Sequence, residues 1–194
     1  MFFFFTIYLQ FLGFSPLAAG LVNVPMVLIL LSTRFGRFAD RRGPRSLLTL
    51  GPFLIGCSLL LLLPVEERAH FWTFGIASMA LLSLGLAMVV APITATALAS
   101  APARYSGIAS GVNQTISRLG NLLSVAIAGL IVLLVFGAAS GADAVPLARG
   151  QDDPALRDAS VDGFRAAVGF AAALAFAAAL VGALGLSDTE AKRR

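Results

Sequence analysis

Twelve residues, Arg34 to Arg45, hold five arginines, and on either side stands an apolar run long enough to cross a bilayer. So short a loop between two spanning segments has to be a tight turn at a membrane surface, because backbone in the hydrocarbon layer must satisfy its polar groups internally. Short loops dense in Lys and Arg stay on the cytoplasmic side, so this turn orients the rest of the chain.

Composition agrees with a membrane fold. Of 194 residues, 58% are apolar and 12% are charged, more hydrophobic material than a soluble core can hide. The expected fold class is all-α, a polytopic transmembrane helix bundle in contact with the lipid bilayer. A net charge of +4 could point to nucleic acid, but the arginines fall mainly in membrane-flanking turns, and no nucleic-acid partner is expected. The single Cys57 and the single His70 can build neither a disulfide framework nor a metal set, so no cofactor or metal is expected. With no nucleophile–base pair and no phosphate-cradling loop, the chain does not read as an enzyme.

In chain order the segments predict five complete spans and one partial one. Residues 1–13, aromatic-rich with Phe2 to Phe5 and Tyr8, fall short of the ~20 residues a spanning helix needs and read as the tail of a truncated first helix. On this reading Met1 is an internal or misassigned start and the chain a fragment of a longer one. A secretory signal is the rival, and the basic region such a signal requires is missing. Ser15-Pro16 stops that helix and starts the next, Ser as cap and Pro in the first turn. The further spans are 16–33, 46–63, 71–100, 105–136 and 164–186. Residues 137–161, rich in Gly, Ala, Pro and Asp, read as an extracytoplasmic loop, and 187–194 as a cytoplasmic tail. The Leu-rich third span, with small interruptions at Gly51, Pro52, Gly56 and Ser58, suits lipid contact.

The basic residues test this alternation. On the side of the arginine turn stand nine Lys and Arg, including Arg104 and Lys192 to Arg194, against four on the other side, Arg68, Arg149, Arg157 and Arg165. That asymmetry fixes one orientation, with the C-terminus in the cytoplasm.

Polar residues inside the spans mark the faces that should look inward. Asn23 interrupts the second span beside Pro25, and Thr94 follows Pro92 in the fourth. The fifth span opens with Gly107 and Gly111, four apart, a spacing that lets two helix backbones approach closely. Gly111, Gln114, Thr115 and Arg118 follow at steps of three and four and make one polar stripe. Roughly 13 residues at ~1.5 Å each place Arg118 ~20 Å into the span, where an arginine costs at least ~2.5 kcal/mol unless solvated or paired. The stripe reads as cavity lining; the bland alternative is an arginine snorkelling to a packed interface. No Asp, Glu or His lies in any apolar segment, so this chain cannot itself supply a proton relay.

The string Gly36-Arg37-Phe38-Ala39-Asp40-Arg41-Arg42-Gly43-Pro44-Arg45 resembles the G-x-x-x-D-R-x-G-[RK]-[RK] signature between the second and third helices of each half of major facilitator superfamily transporters. It matches at Gly36, Asp40, Arg41, Gly43 and Arg45 and departs at Pro44. Ser15-Pro16-Leu17-Ala18-Ala19-Gly20 with Pro25, and Gly107-Ile108-Ala109-Ser110-Gly111-Val112-Asn113 with Arg118, are similar to the C-terminal half of the fourteen-helix drug:proton antiporter branch.

The resemblance implies one six-helix half of a major-facilitator-type fold, with the N-terminal transporter half missing. It implies a multi-pass protein of the cell membrane, in bacteria the inner membrane, that exports drugs or toxic amphiphilic metabolites by alternating access with protons as coupling ion. In the family the signature acts as a conformational latch, which Asp40 and Arg41 would form here with a partner on the other half. The first, second, fourth and fifth segments would line the cavity, while the third and sixth face lipid. A nutrient or metabolite permease of the same superfamily is the alternative within this fold, and a non-transporting membrane remnant or scaffold the alternative outside it.

Overall fold

The computed structural model describes residues 2–22, 44–65, 70–99, 102–140, 145–148 and 153–185, and these are all helix and turn. The helices are α1 (Phe2–Phe11), α2 (Pro16–Leu21), α3 (Pro44–Leu60), α4 (Ile76–Ala99), α5 (Ser106–Ser140) and α6 (Pro154–Gly185). A π-helical turn, Phe71–Gly75, leads into α4, and a 3₁₀ turn, Ala103–Tyr105, leads into α5.

The first break falls where Ser15-Pro16 predicts it. Gly13 takes φ +90°, its N–H reaches the Gln10 carbonyl at 3.0 Å, and the Phe14 N–H reaches the Leu9 carbonyl at 3.0 Å. This is a Schellman ending, with Leu9 and Phe14 both buried beneath it. Ser15 then caps α2 by accepting from the Ala18 N–H at 3.2 Å, and Pro16 occupies the first helical turn.

Helix α3 packs between α4 and α6, and α5 packs on α6. Small residues decide the approach. A Cβ on Gly85 would lie 2.8 Å from the Gly51 carbonyl oxygen, so α3 and α4 meet backbone to backbone. A Cβ on Gly56 would lie 2.7 Å from the Phe176 ring, and one on Gly182 would strike the Leu48 carbonyl, so α6 seats equally closely along α3. That carbonyl is the one left without an i+4 donor by Pro52 inside α3. Where α3 meets the start of α4, Ser78 donates to the Ser58 carbonyl at 2.6 Å.

The residues that look like mere interruptions of a lipid-facing span, Gly51, Pro52, Gly56 and Ser58, are therefore its packing face. The exposed face of α3 carries Leu50, Phe53 and Leu60. Small residues let helix backbones close up where bulky ones would hold them apart.

At the end of the bundle holding the Leu61–Val65 turn, α1 lies across the other helices. Phe5, Tyr8, Leu9, Phe14, Leu59, Leu62, Phe71, Val132 and Phe164 form one buried cluster there. Tyr8 donates from its hydroxyl to the Val65 carbonyl, and Arg165 Nε donates to the Leu63 carbonyl at 2.9 Å. Carbonyls of the turn that follows α3 are thus taken up by side chains from α1 and α6. Phe14, Leu62, Val65, Phe71 and Phe164, far apart in the chain, thus meet in one core.

The predicted loop 137–161 is shorter than expected. Helix α5 continues to Ser140 and α6 begins at Pro154. Asp153 Oδ1 accepts from the Ala155 N–H at 2.9 Å, and Asp153-Pro154 is a cap followed by a first-turn proline. The first two turns of α6 are polar on their outer side, which hides them from a search for apolar runs. Their inner side buries Ala159, Ser160, Val161 and Phe164. Leu147, with φ +58°, inserts into the core, and its N–H donates to Ser160 Oγ at 3.1 Å.

Candidate functional site

The polar stripe of the fifth span survives as a geometric feature. Gly107, Gly111, Gln114, Thr115 and Arg118 are all exposed on α5. Further along the same helix Ala128, Val132 and Phe136 are buried against the bundle. Gln114 and Arg118 stand eighteen residues before Val132 and Phe136, five full turns of 3.6 residues. The polar face and the buried face are therefore one face, which is buried in its second half and which the described residues leave exposed in its first.

Hydroxyls along the uncovered half turn back on their own helix. Thr115 donates to the Gly111 carbonyl at 2.9 Å, Ser117 to Asn113 at 2.8 Å and Ser124 to Gly120 at 2.8 Å. Arg118 and Gln114 show no hydrogen bond or ion pair within the described residues. Both present donors outward, five N–H groups on the guanidinium and two on the carboxamide.

The expected close packing at Gly107 and Gly111 is absent within this chain. A Cβ built on either meets nothing within 4 Å. Close backbone approach occurs instead at Gly51, Gly85, Gly163 and Gly182. The other predicted positions are less informative. Asn23, Gly36, Asp40, Arg41 and Gly43 lie outside the described residues, while Arg45 and Thr94 are placed on α3 and α4 without a described side chain.

Tyr8, which the sequence marks only as part of an aromatic run, and Arg165, which it marks only as a flanking charge, tie the turn after α3 to its neighbours. The signal for Arg165 was available in its position beside the aromatic Phe164 at the start of an apolar run. An apolar crevice among Phe5, Leu59, Leu62, Met79, Leu82 and Phe164 offers no polar group to orient a ligand. Among the described residues, no cluster of three or more His, Cys, Asp and Glu could hold a metal.

The family model for the Major Facilitator Superfamily matches residues 1–194. The chain belongs to the major facilitator superfamily. Three of its helices, Phe71–Val90, Ser106–Ser140 and Pro154–Leu184, are long and apolar enough to cross a membrane, and this major facilitator chain is a multi-pass membrane protein. It is 33% identical over 135 residues to the tetracenomycin C resistance and export protein of Streptomyces glaucescens, covering 67% of this chain and 24% of that protein. It is 33% identical over 122 residues to the multidrug efflux pump LfrA of Mycolicibacterium smegmatis, covering 62% and 24%. With the quinolone resistance protein NorB of Staphylococcus aureus it shares 31% over 134 residues, covering 64% and 27%. The chain thus spans about a quarter of the length of the curated relatives it matches. No solved structure matches it. In this major facilitator chain the exposed face of α5 is a described surface where polar donors line a membrane-length helix.

Proposed function

We propose that this chain is the C-terminal half of a proton-coupled exporter of drugs or toxic amphiphilic metabolites, and that it works by alternating access against an N-terminal half. The observation that carries this reading is the polar face of α5, uncovered and in line with the side by which the same helix packs into the bundle. In a membrane such a face is tolerated where it lines a water-filled cavity or meets another part of the protein. Gln114, Thr115 and Arg118 are its lining, joined by Asn23 from the second span and Thr94 from the fourth. Relatives named for export, efflux and resistance support a drug-like solute.

The arginine turn lies in the cytoplasm in this reading, with the C-terminus on the same side. Gly36, Asp40, Arg41, Gly43 and Arg45 form the latch that holds one access state closed against the other half. The carboxylates that carry the coupling protons belong to that half, since none occurs in an apolar segment here. The test is transport by the full-length protein in vesicles under an imposed pH gradient, with ethidium and norfloxacin as solutes. Uptake that collapses when the gradient is dissipated supports the reading. Failure to move either solute up its gradient would discard it.

A further inference from the structure

We propose that Arg118 and Gln114 form a binding site for the carboxylate of an aromatic or otherwise amphiphilic acid, so that the transported solutes include organic monoanions. The inference rests on reading the polar face of α5 as the wall of the solute path, and it names what that wall selects. The hydroxyls of Thr115, Ser117 and Ser124 are satisfied by carbonyls of their own helix, so they contribute little outward polarity. What remains is the Arg118 guanidinium with the Gln114 carboxamide one turn before it and the Asn121 carboxamide three residues after it on the same face, all exposed and all without a partner among the described residues. A set made almost entirely of donors calls for a partner made of acceptors.

A carboxylate fits better than a phosphate. Two oxygens in a plane match the fork of one guanidinium, with the carboxamide N–H as an additional donor. A dianion would call for a second cation, and Arg104, the nearest on this helix and its leading turn, lies about 20 Å away along the axis. Leu122 sits one turn beyond Arg118 and is 69% exposed, which gives the apolar body of the acid a surface beside its charged end. The apolar segments read from the sequence contain no Asp or Glu, and Arg118 has no ion pair among the described residues.

The carboxylate could also come from a side chain of the remaining transporter, and the experiment separates that source from the solute. In the full-length protein, Thr115→Cys is labelled with a membrane-impermeant maleimide in the presence of pyrenebutyrate or its methyl ester. The expected result is slowing of labelling by at least about tenfold with the acid, little change with the ester, and loss of protection when Arg118→Gln is added. Arg118→Lys should restore part of the protection. Equal protection by acid and ester, protection that survives Arg118→Gln, or no protection by the acid would each overturn the proposal, the last leaving any anion at Arg118 to the protein itself. If Thr115→Cys does not react even without a probe, the cavity reading of α5 falls, and this inference falls with it.

Discussion

The ring of Tyr8 lies flat on the ring of Phe164, with centroids 3.7 Å apart and planes 2° from parallel. From that stack the Tyr8 hydroxyl reaches the Val65 carbonyl, so one side chain of α1 is fastened to α6 through its face and to the end of α3 through its tip.

Tyr8→Phe keeps the stack and removes the hydrogen bond, leaving a buried carbonyl unsatisfied. A loss of about 1 kcal/mol is expected, against about 3–5 kcal/mol for Tyr8→Ala, which empties the aromatic cluster as well. Thermal unfolding in detergent should rank wild type, Tyr8→Phe and Tyr8→Ala in that order. A Tyr8→Phe variant as stable as wild type would show that the hydroxyl contributes nothing.

Two glycine substitutions should have opposite effects. Gly85→Ala puts a methyl group 2.8 Å from the Gly51 carbonyl oxygen, so α3 and α4 must part, at a cost of about 1–3 kcal/mol. Gly111→Ala enters open space in the middle of a helix and should be neutral or stabilise this chain by up to about 1 kcal/mol. The comparison is again the unfolding midpoint. Equal destabilisation by both would contradict the packing described for α3 and α4.

Ser160→Ala removes the acceptor for the Leu147 N–H while that residue stays buried in a left-handed conformation. The unsatisfied donor should cost about 1–3 kcal/mol and release the segment around Leu147. Limited proteolysis would register this as faster cleavage near 145–148, and unchanged cleavage would show that Ser160 does not hold the segment.

Asp40→Asn in the full-length transporter should lower transport while membrane insertion stays intact. An orienting arginine turn does not need a carboxylate that reduces its positive charge, whereas a latch that pairs with the other half does. Transport at the wild-type level would discard the latch.

Much of this architecture is legible in the sequence because lipid imposes few solutions. The apolar runs announce the helices α3 to α6, and Ser15-Pro16 announces the first break with its cap. The start of α6 was missed for a physical reason. From Pro154 to Asp162 the helix is amphipathic and charged outside, and it was announced only by the Asp153-Pro154 pair. The role of α3 was misjudged because Gly51, Gly56 and Ser58 look like weak points in a leucine run, and only the neighbouring helix turns a missing side chain into a contact. The stripe on α5 was visible from spacing alone. Its alignment with Val132 and Phe136 depends on knowing which face the bundle buries.

The backbone-to-backbone seams at Gly51 with Gly85 and at Gly182 with Leu48 have a mechanical consequence. Three helices joined that closely behave as a single stiff slab, since sliding any one of them would drive carbonyl oxygen into α-carbon. Deformation among the described helices should therefore fall outside these seams, on the exposed first half of α5 and the guanidinium it carries.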